Sequence, residues 1–283
     1  MTELVLRSSR WRRVMAFAMV AAALVVSRVS LRAHDMWIEP GTFAPAAGEI
    51  VPVRLRVGED LLGDPLPRDP ALINQFIVVD SEGRKPVVGR DGSDPAGFVR
   101  VATPGLLIVG YRSNASAIDL TAEKFTRYIE EEGLDRVAAL RARRGQTGGA
   151  RDLFSRCAKS LVVSGTPGQG QADRALGFTL ELVAERNPAI VASGEDLPVR
   201  LTYENRPLAG TLVAAINRGH PGEKLTARTD NDGRVHFRLP RHGMWLIKAV
   251  HMIEAPAGAG ADWISYWASL TFEIAEQVRG RRS

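Results

Sequence analysis

Two eight-residue stretches, 146 positions apart, constrain this chain more than any other feature: GEIVPVRL at 48–55 and GEDLPVRL at 194–201. In both, a glycine-led turn feeds alternating apolar residues, the pattern of a half-buried strand. Both are followed by a polar turn and a Pro-Leu pair, Pro65-Leu66 and Pro207-Leu208. The correspondence continues downstream. GFVRV at 97–101 runs through Pro104-Gly105 into LLIV at 106–109, and VHFRL at 235–239 runs through Pro240 and Gly243 into MWLI at 244–247. A unit of strand, Pro/Gly turn and buried strand that occurs twice predicts a mainly β fold. We expect two immunoglobulin-like or prealbumin-like β-sandwich domains related by duplication, at 34–118 and 176–276.

The stretch between the copies has a different character. Residues 121–144 lose strand alternation and are rich in Glu, Ala, Leu and Arg, with Phe125, Tyr128 and Ile129 at helical spacing. Thr121 is the expected N-cap, and Gly133 is expected to split the segment into two short helices. Arg151 to Ser160 is expected to form a third, with Cys157 as a hydrophobe on its face. Residues 166–173 (TPGQGQAD) have linker composition, so 119–175 is taken as a helical insert plus flexible linker, and 277–283 as a basic tail.

Charge is distributed unevenly. The net charge is +5, yet residues 1–33 alone carry six arginines and one acid, leaving 31 basic and 31 acidic residues in the remaining chain. A nucleic-acid partner is therefore not expected, because phosphate binding needs a basic surface. Within 1–33, four arginines precede 13 uncharged, mostly apolar residues at 14–26 and a polar stretch ending at Ala33. That is the layout of a secretory signal peptide, too short in its apolar part to span a bilayer. Export to the periplasm, with no stable membrane span after cleavage, is the expectation. Cleavage after Ala33 would make His34 the first residue; cuts after Leu31 or Ser27 are also chemically reasonable. The single cysteine, Cys157, excludes an intramolecular disulfide.

Serine-hydrolase, P-loop, dinucleotide and Cys-x-x-Cys signatures are absent, which leaves five histidines as the chemical lead. An amino-terminal histidine combines a readily deprotonated α-amine with its own imidazole in one chelate ring, a donor set suited to Cu(II) or Ni(II). Among the other four, His251 shares a strand face with Trp245, Ile247 and Ala249, while His236, His242 and His220 fall at polar or turn positions. Met252 beside His251 is read as an apolar strand end, with a soft thioether donor as the alternative. Trp263, Tyr266 and Trp267 are read either as a carbohydrate-stacking surface or as packing. The DNDG sequence at 230–233 is read as a hairpin turn rather than a calcium loop.

The AHDMWIEP start at 33–40, the GExxPVRL repeat, and TDNDGRV at 229–235 followed by GMWLIKAVHM at 243–252 together resemble the domain of unknown function 4198 family. These are exported proteins associated with nickel and cobalt uptake, described as periplasmic components of a cobalt-type transporter. The resemblance implies a non-enzymatic protein that binds nickel or cobalt, or copper, and assists a membrane metal transporter. Its matching positions are His34 at the mature terminus and the 245–251 segment, which makes His34 and His251 the expected metal ligands. Two other readings remain open: a metal-independent binding or adhesion module, and a copper oxygenase with a histidine-brace ligand set.

Overall fold

The computed structural model describes residues 34–166 and 171–276; the proposed signal and the basic tail lie outside them. The fold is mainly β and is built as three layers. One outer sheet contains β1 (Asp35–Pro40), β2 (Ile50–Glu59) and β3 (Leu62–Pro65). The central sheet takes β4 (Ile73–Asp80) and β5 (Gly83–Pro86). β6 (Gly97–Arg100) returns to the outer sheet beside β2, and β7 (Gly105–Ser113), β8 (Ser116–Leu120) and β9 (Ala150–Ser164) are central. The second half repeats the plan. β10 (Leu180–Ala184), β11 (Asp196–Tyr203), β12 (Arg206–Pro207) and β15 (Arg234–Arg238) form the other outer sheet. β13 (Leu212–Asn217), β14 (His220–Arg228), β16 (Gly243–Glu254) and β17 (Trp263–Ile274) join the centre.

The duplication read from GExxPVRL is visible in the pairing. β2 and β11 are the middle strands of the two outer sheets. β6 pairs with β2 through Val51↔Val99, and β15 pairs with β11 through Val199↔Val235. Each middle strand turns back through two residues of positive φ, Asp60-Leu61 and Glu204-Asn205, the backbone sign of a tight type I′ hairpin. The central sheet runs β14-β13-β16-β17-β9-β7-β4-β5, with β8 also beside β9. Its two halves meet in one parallel pairing, β17 with β9, from Trp263↔Asp152 to Thr271↔Ser160.

Side-chain parity shows that the outer sheets lie on opposite faces. Ala158 and Val162 of β9 enter the core under the β1–β2–β3–β6 sheet, whereas Cys157 and Leu161 enter the core under the β10–β11–β12–β15 sheet. Opposite covers on a sheet whose strand order mirrors about its centre are what a two-fold axis along the central strands generates. β9 and β17 are consequently buried on both faces.

This corrects one expectation. Arg151 to Ser160 is not a third helix but most of β9, and Cys157 is a buried strand residue whose thiol burial pushes up to about 11. Over 150–156 burial alternates, but Asp152 and Arg156 occupy inward positions and mask the pattern; from Cys157 on, burial on both faces removes the period-two signal, and pairing on both edges overrides a helix-like composition. Polar groups drawn into this strand are compensated. Lys159 Nζ lies 2.8 Å from Asp173 and 3.2 Å from Glu181, all three essentially inaccessible. Glu181 also accepts from the backbone N–H groups of Leu176, Gly177 and Phe178, so the end of the linker segment is fixed against the core. Gly110 allows this crossing: a Cβ there would meet Leu176 Cδ1 at 2.4 Å.

The two short helices form as expected, α1 at Ala122–Glu131 and α2 at Asp135–Arg143. Thr121 caps α1 by accepting from Lys124 N–H, and Gly133 adopts φ +59 between them. Their apolar side covers the part of the central sheet that the first outer sheet leaves open. Tyr128 stacks on Trp267 at 5.3 Å and Phe125 packs on Trp263 at 6.1 Å. The packing reading of Trp263 and Trp267 therefore holds; both are buried and present no carbohydrate-stacking surface.

Beneath the helices, Asp152 accepts from Ser265 Oγ at 2.6 Å, and its Oδ1 has no partner among the described residues. Burial pushes its carboxyl up to about 7. A carboxyl raised in the fold favours the folded state most when protonated, so its stability penalty grows from about pH 4 to about pH 7 and is constant above. Replacing Asp152 with Asn should remove that slope. Urea unfolding at pH 5 and pH 8 should show the Asp152→Asn advantage over the parent growing by about 3 kcal/mol across the interval. An advantage independent of pH would contradict the assignment.

Candidate functional site

His34 immediately precedes β1 and faces a cavity of about 340 Å³. Its other walls are Glu59 and Asp60 at the β2–β3 turn, Glu131 and Glu132 at the end of α1, Lys224 of β14 and Lys248 of β16. With Asp35, five carboxylates face two ammonium groups, which gives the cavity a cation-attracting field.

Two buried cations fix the residues beside it. Lys248 Nζ donates to Asp35 Oδ1 and Glu132 Oε1, each at 2.8 Å, and so ties the first strand, the central sheet and the helical layer at one point. The paired carboxylates raise the Lys248 ammonium, although burial alone would lower it; burial pushes the Glu132 carboxyl up. Arg156, pushed down to about 10 by burial and seated over the Phe154 ring, donates to the His34 carbonyl at 3.5 Å. Lys224 pairs with Asp60 at 2.5 Å. Glu59 and Glu131 remain as the carboxylates without a lysine partner among the described residues. His34 Nδ1 lies 2.9 Å from Glu59 Oε1 yet outside hydrogen-bonding geometry, which leaves a buried ring nitrogen unsatisfied beside a carboxylate.

The structure does not bring His34 and His251 together. β16 alternates, so Lys248 points to the His34 cavity, whereas Trp245, Ile247 and Ala249 point into the core of the opposite face. His251 continues that second series, with its ring 4.6 Å from Tyr203 of β11. It lines a different cavity, with Arg136 and Leu208, and burial followed by the Arg136 charge lowers its pKa. Met252 is buried in the helical cluster. His236 is exposed on β15 and sits 2.9 Å from Asp196. The 230–233 segment is a turn, in which Asp230 accepts from Asp232 and Arg234 N–H, but not the expected hairpin: it carries the chain from β14 in the central sheet to β15 in the outer one. His220 and His242 line one common cleft, a convergence that the sequence did not disclose.

Among the described residues, no three His, Cys, Asp or Glu side chains form a ready metal-binding group. A metal at His34 would therefore need a main-chain donor as well. The free amine of a chain beginning at His34 is such a donor, and it would join Nδ1 and the Glu59 carboxylate in an N,N,O set. The unsatisfied Nδ1 fits that role.

Fold and site together define a mainly β, three-layer protein with an acidic cavity at the head of its first strand. Residues 31–253 match the family model described as Domain of unknown function (DUF4198), and the chain belongs to that family. No curated protein matches the sequence. Among solved structures, it is similar to the D0-D1 domain of Intimin at 13% identity and TM-score 0.20, covering 85% of this chain and 98% of that one. A tetra-tandem repeat in the extending region of a large adhesion protein is similar at 13% identity and TM-score 0.21, covering 85% and 49%.

The Lys248 junction has a direct consequence. Lys248→Met leaves Asp35 and Glu132 buried without their cation, which should cost about 3–5 kcal/mol in urea unfolding. A loss below about 1 kcal/mol would mean that the junction does not hold the first strand.

Proposed function

We propose that this protein is an exported, non-enzymatic carrier of a divalent transition metal, nickel or cobalt, held at His34 and passed to a membrane transporter. The observation that supports this most is the unsatisfied Nδ1 of His34 beside Glu59, in a carboxylate-rich cavity whose rim is fixed by Arg156 and Lys248. Signal cleavage after Ala33 would add the α-amine. Amine, imidazole and carboxylate form a mixed nitrogen–oxygen set that suits Ni(II), Co(II) and Cu(II), with neighbouring carboxylates balancing the metal charge. His251 takes no part in this reading, since it faces the opposite side of the sheet. The export-signal layout supports a periplasmic location, and the resemblance to proteins associated with nickel and cobalt uptake supports the choice of metals and the transporter partner.

The test begins with the exported protein, whose intact mass should correspond to a chain starting at His34. Titration with nickel, cobalt, copper and zinc should then give one tight site. Affinity should fall at least tenfold in His34→Ala and in Glu59→Gln, and should stay unchanged in His251→Ala. A chain that retains residues before His34 should also bind more weakly, because its amine is displaced. Binding should weaken on acidification, since amine and imidazole must both be deprotonated to coordinate. Equal affinity in His34→Ala, or a mature chain that begins at Arg28, would overturn the reading.

A further inference from the structure

The largest of the described cavities, about 720 Å³, is not the His34 site but a cleft at the other end of β1. Its charged wall combines Arg54 of β2, Arg218 in the β13–β14 turn, and Arg241 in the loop between β15 and β16. His220 and His242 add imidazole donors, and Phe43 and Met244 contribute apolar surface. Five side chains with N–H donors, from three separate segments, thus converge on one space that also holds two carboxylates, Glu39 and Glu273.

The wall is built rather than incidental. Asn217 is buried and donates through Nδ2 to the His242 carbonyl at 3.1 Å, while its Oδ1 accepts from Gly219 N–H at 3.0 Å. The Arg218 N–H donates to the Met244 carbonyl at 3.0 Å, and Trp245 Nε1 donates to the Arg241 carbonyl at 3.0 Å. These bonds pin the two loops to each other and to the central sheet. The guanidinium groups are themselves oriented: Arg218 pairs with Glu39, and Arg241 pairs with Glu223 at 2.7 Å. A guanidinium has five N–H donors and one carboxylate satisfies at most two or three, so each of these arginines keeps donors for a ligand. Arg54 has no carboxylate partner among the described residues. Glu273 is the cleft's one carboxylate without a cationic partner among them, and it opposes an anion there.

We infer that this cleft binds a small multivalent oxyanion, a di- or tricarboxylate or a phosphate, with Arg54, Arg218 and Arg241 as its principal donors. Planar donors of this kind match carboxylate and phosphate oxygens two at a time. The site is separate from the His34 cavity and requires no metal, so it stands whether or not the metal reading does.

Citrate and inorganic phosphate are the probes, titrated by calorimetry and by amide chemical shifts into protein freed of metal by chelation and then desalted. At least one should bind with a saturable isotherm, and shifts should centre on 217–220 and 241–244. Arg54→Gln should weaken binding at least tenfold and Arg241→Gln should weaken it measurably, with binding reduced further at high salt. Glu273→Gln should strengthen it, because it removes the opposing charge. Unfolding midpoints of all three variants serve as the check on folding, and the strengthening variant keeps the test informative if an arginine variant unfolds. No saturable binding of either probe, or affinities that ignore Arg54 and Glu273, would overturn the inference.

Discussion

The parallel pairing of β17 with β9 joins the two halves of the molecule into one sheet. It places the second half's last strand against the strand that closes the first half, and makes both of them interior. Strands buried on two faces need cover on both, and the duplicated chain supplies it with an outer sheet on each side. The same burial draws charged groups inward, and each must then find a partner, since an isolated buried charge costs several kcal/mol. Lys159 meets Asp173 and Glu181, whereas Asp152 has only a serine and remains the raised, unpaired carboxyl. The three-layer form, the fixed end of the linker and the helical cover therefore follow from one seam.

The same seam positions the two candidate sites. β1 packs across β9 and β17, with Thr271 Oγ1 donating to the Ile38 carbonyl, so its ends project from opposite sides of a rigid support. His34 stands at one end, beside the carboxylates of the β2–β3 turn and α1. Glu39 and Pro40 stand at the other, beside the arginine-lined cleft. One end carries excess negative charge and the other a set of guanidinium donors, which suits them to ligands of opposite sign.

Much of this plan was legible because it is local. The GExxPVRL repeat marks strands that alternate, with one face in a core and one in solvent, and both became middle strands of outer sheets. Thr121, Gly133 and the spacing of Phe125, Tyr128 and Ile129 describe a capped helix pair for the same reason. β9 was hidden because its first half turns the polar Asp152 and Arg156 inward and its second half is buried on both faces, which leaves a composition that reads as helix. The cavity around His34 was half legible. The histidine's position at the end of the signal layout is a sequence feature, but Glu59, Glu131 and Lys248 reach it only through tertiary pairing. His251 shows the limit from the other side. Its alignment with Trp245, Ile247 and Ala249 was readable, but which cover that face would receive was not, and the parity of β16 turned it away from His34.

In the function we propose, the metal ligands are His34 and Glu59 rather than His34 and His251. X-ray absorption at the nickel edge of the loaded mature protein tests it most directly. The spectrum should show nitrogen and oxygen donors with multiple scattering from a single imidazole; Glu59→Gln should replace or remove one oxygen donor, and His251→Ala should leave the spectrum unchanged. A shell with two imidazoles that loses one in His251→Ala would contradict it.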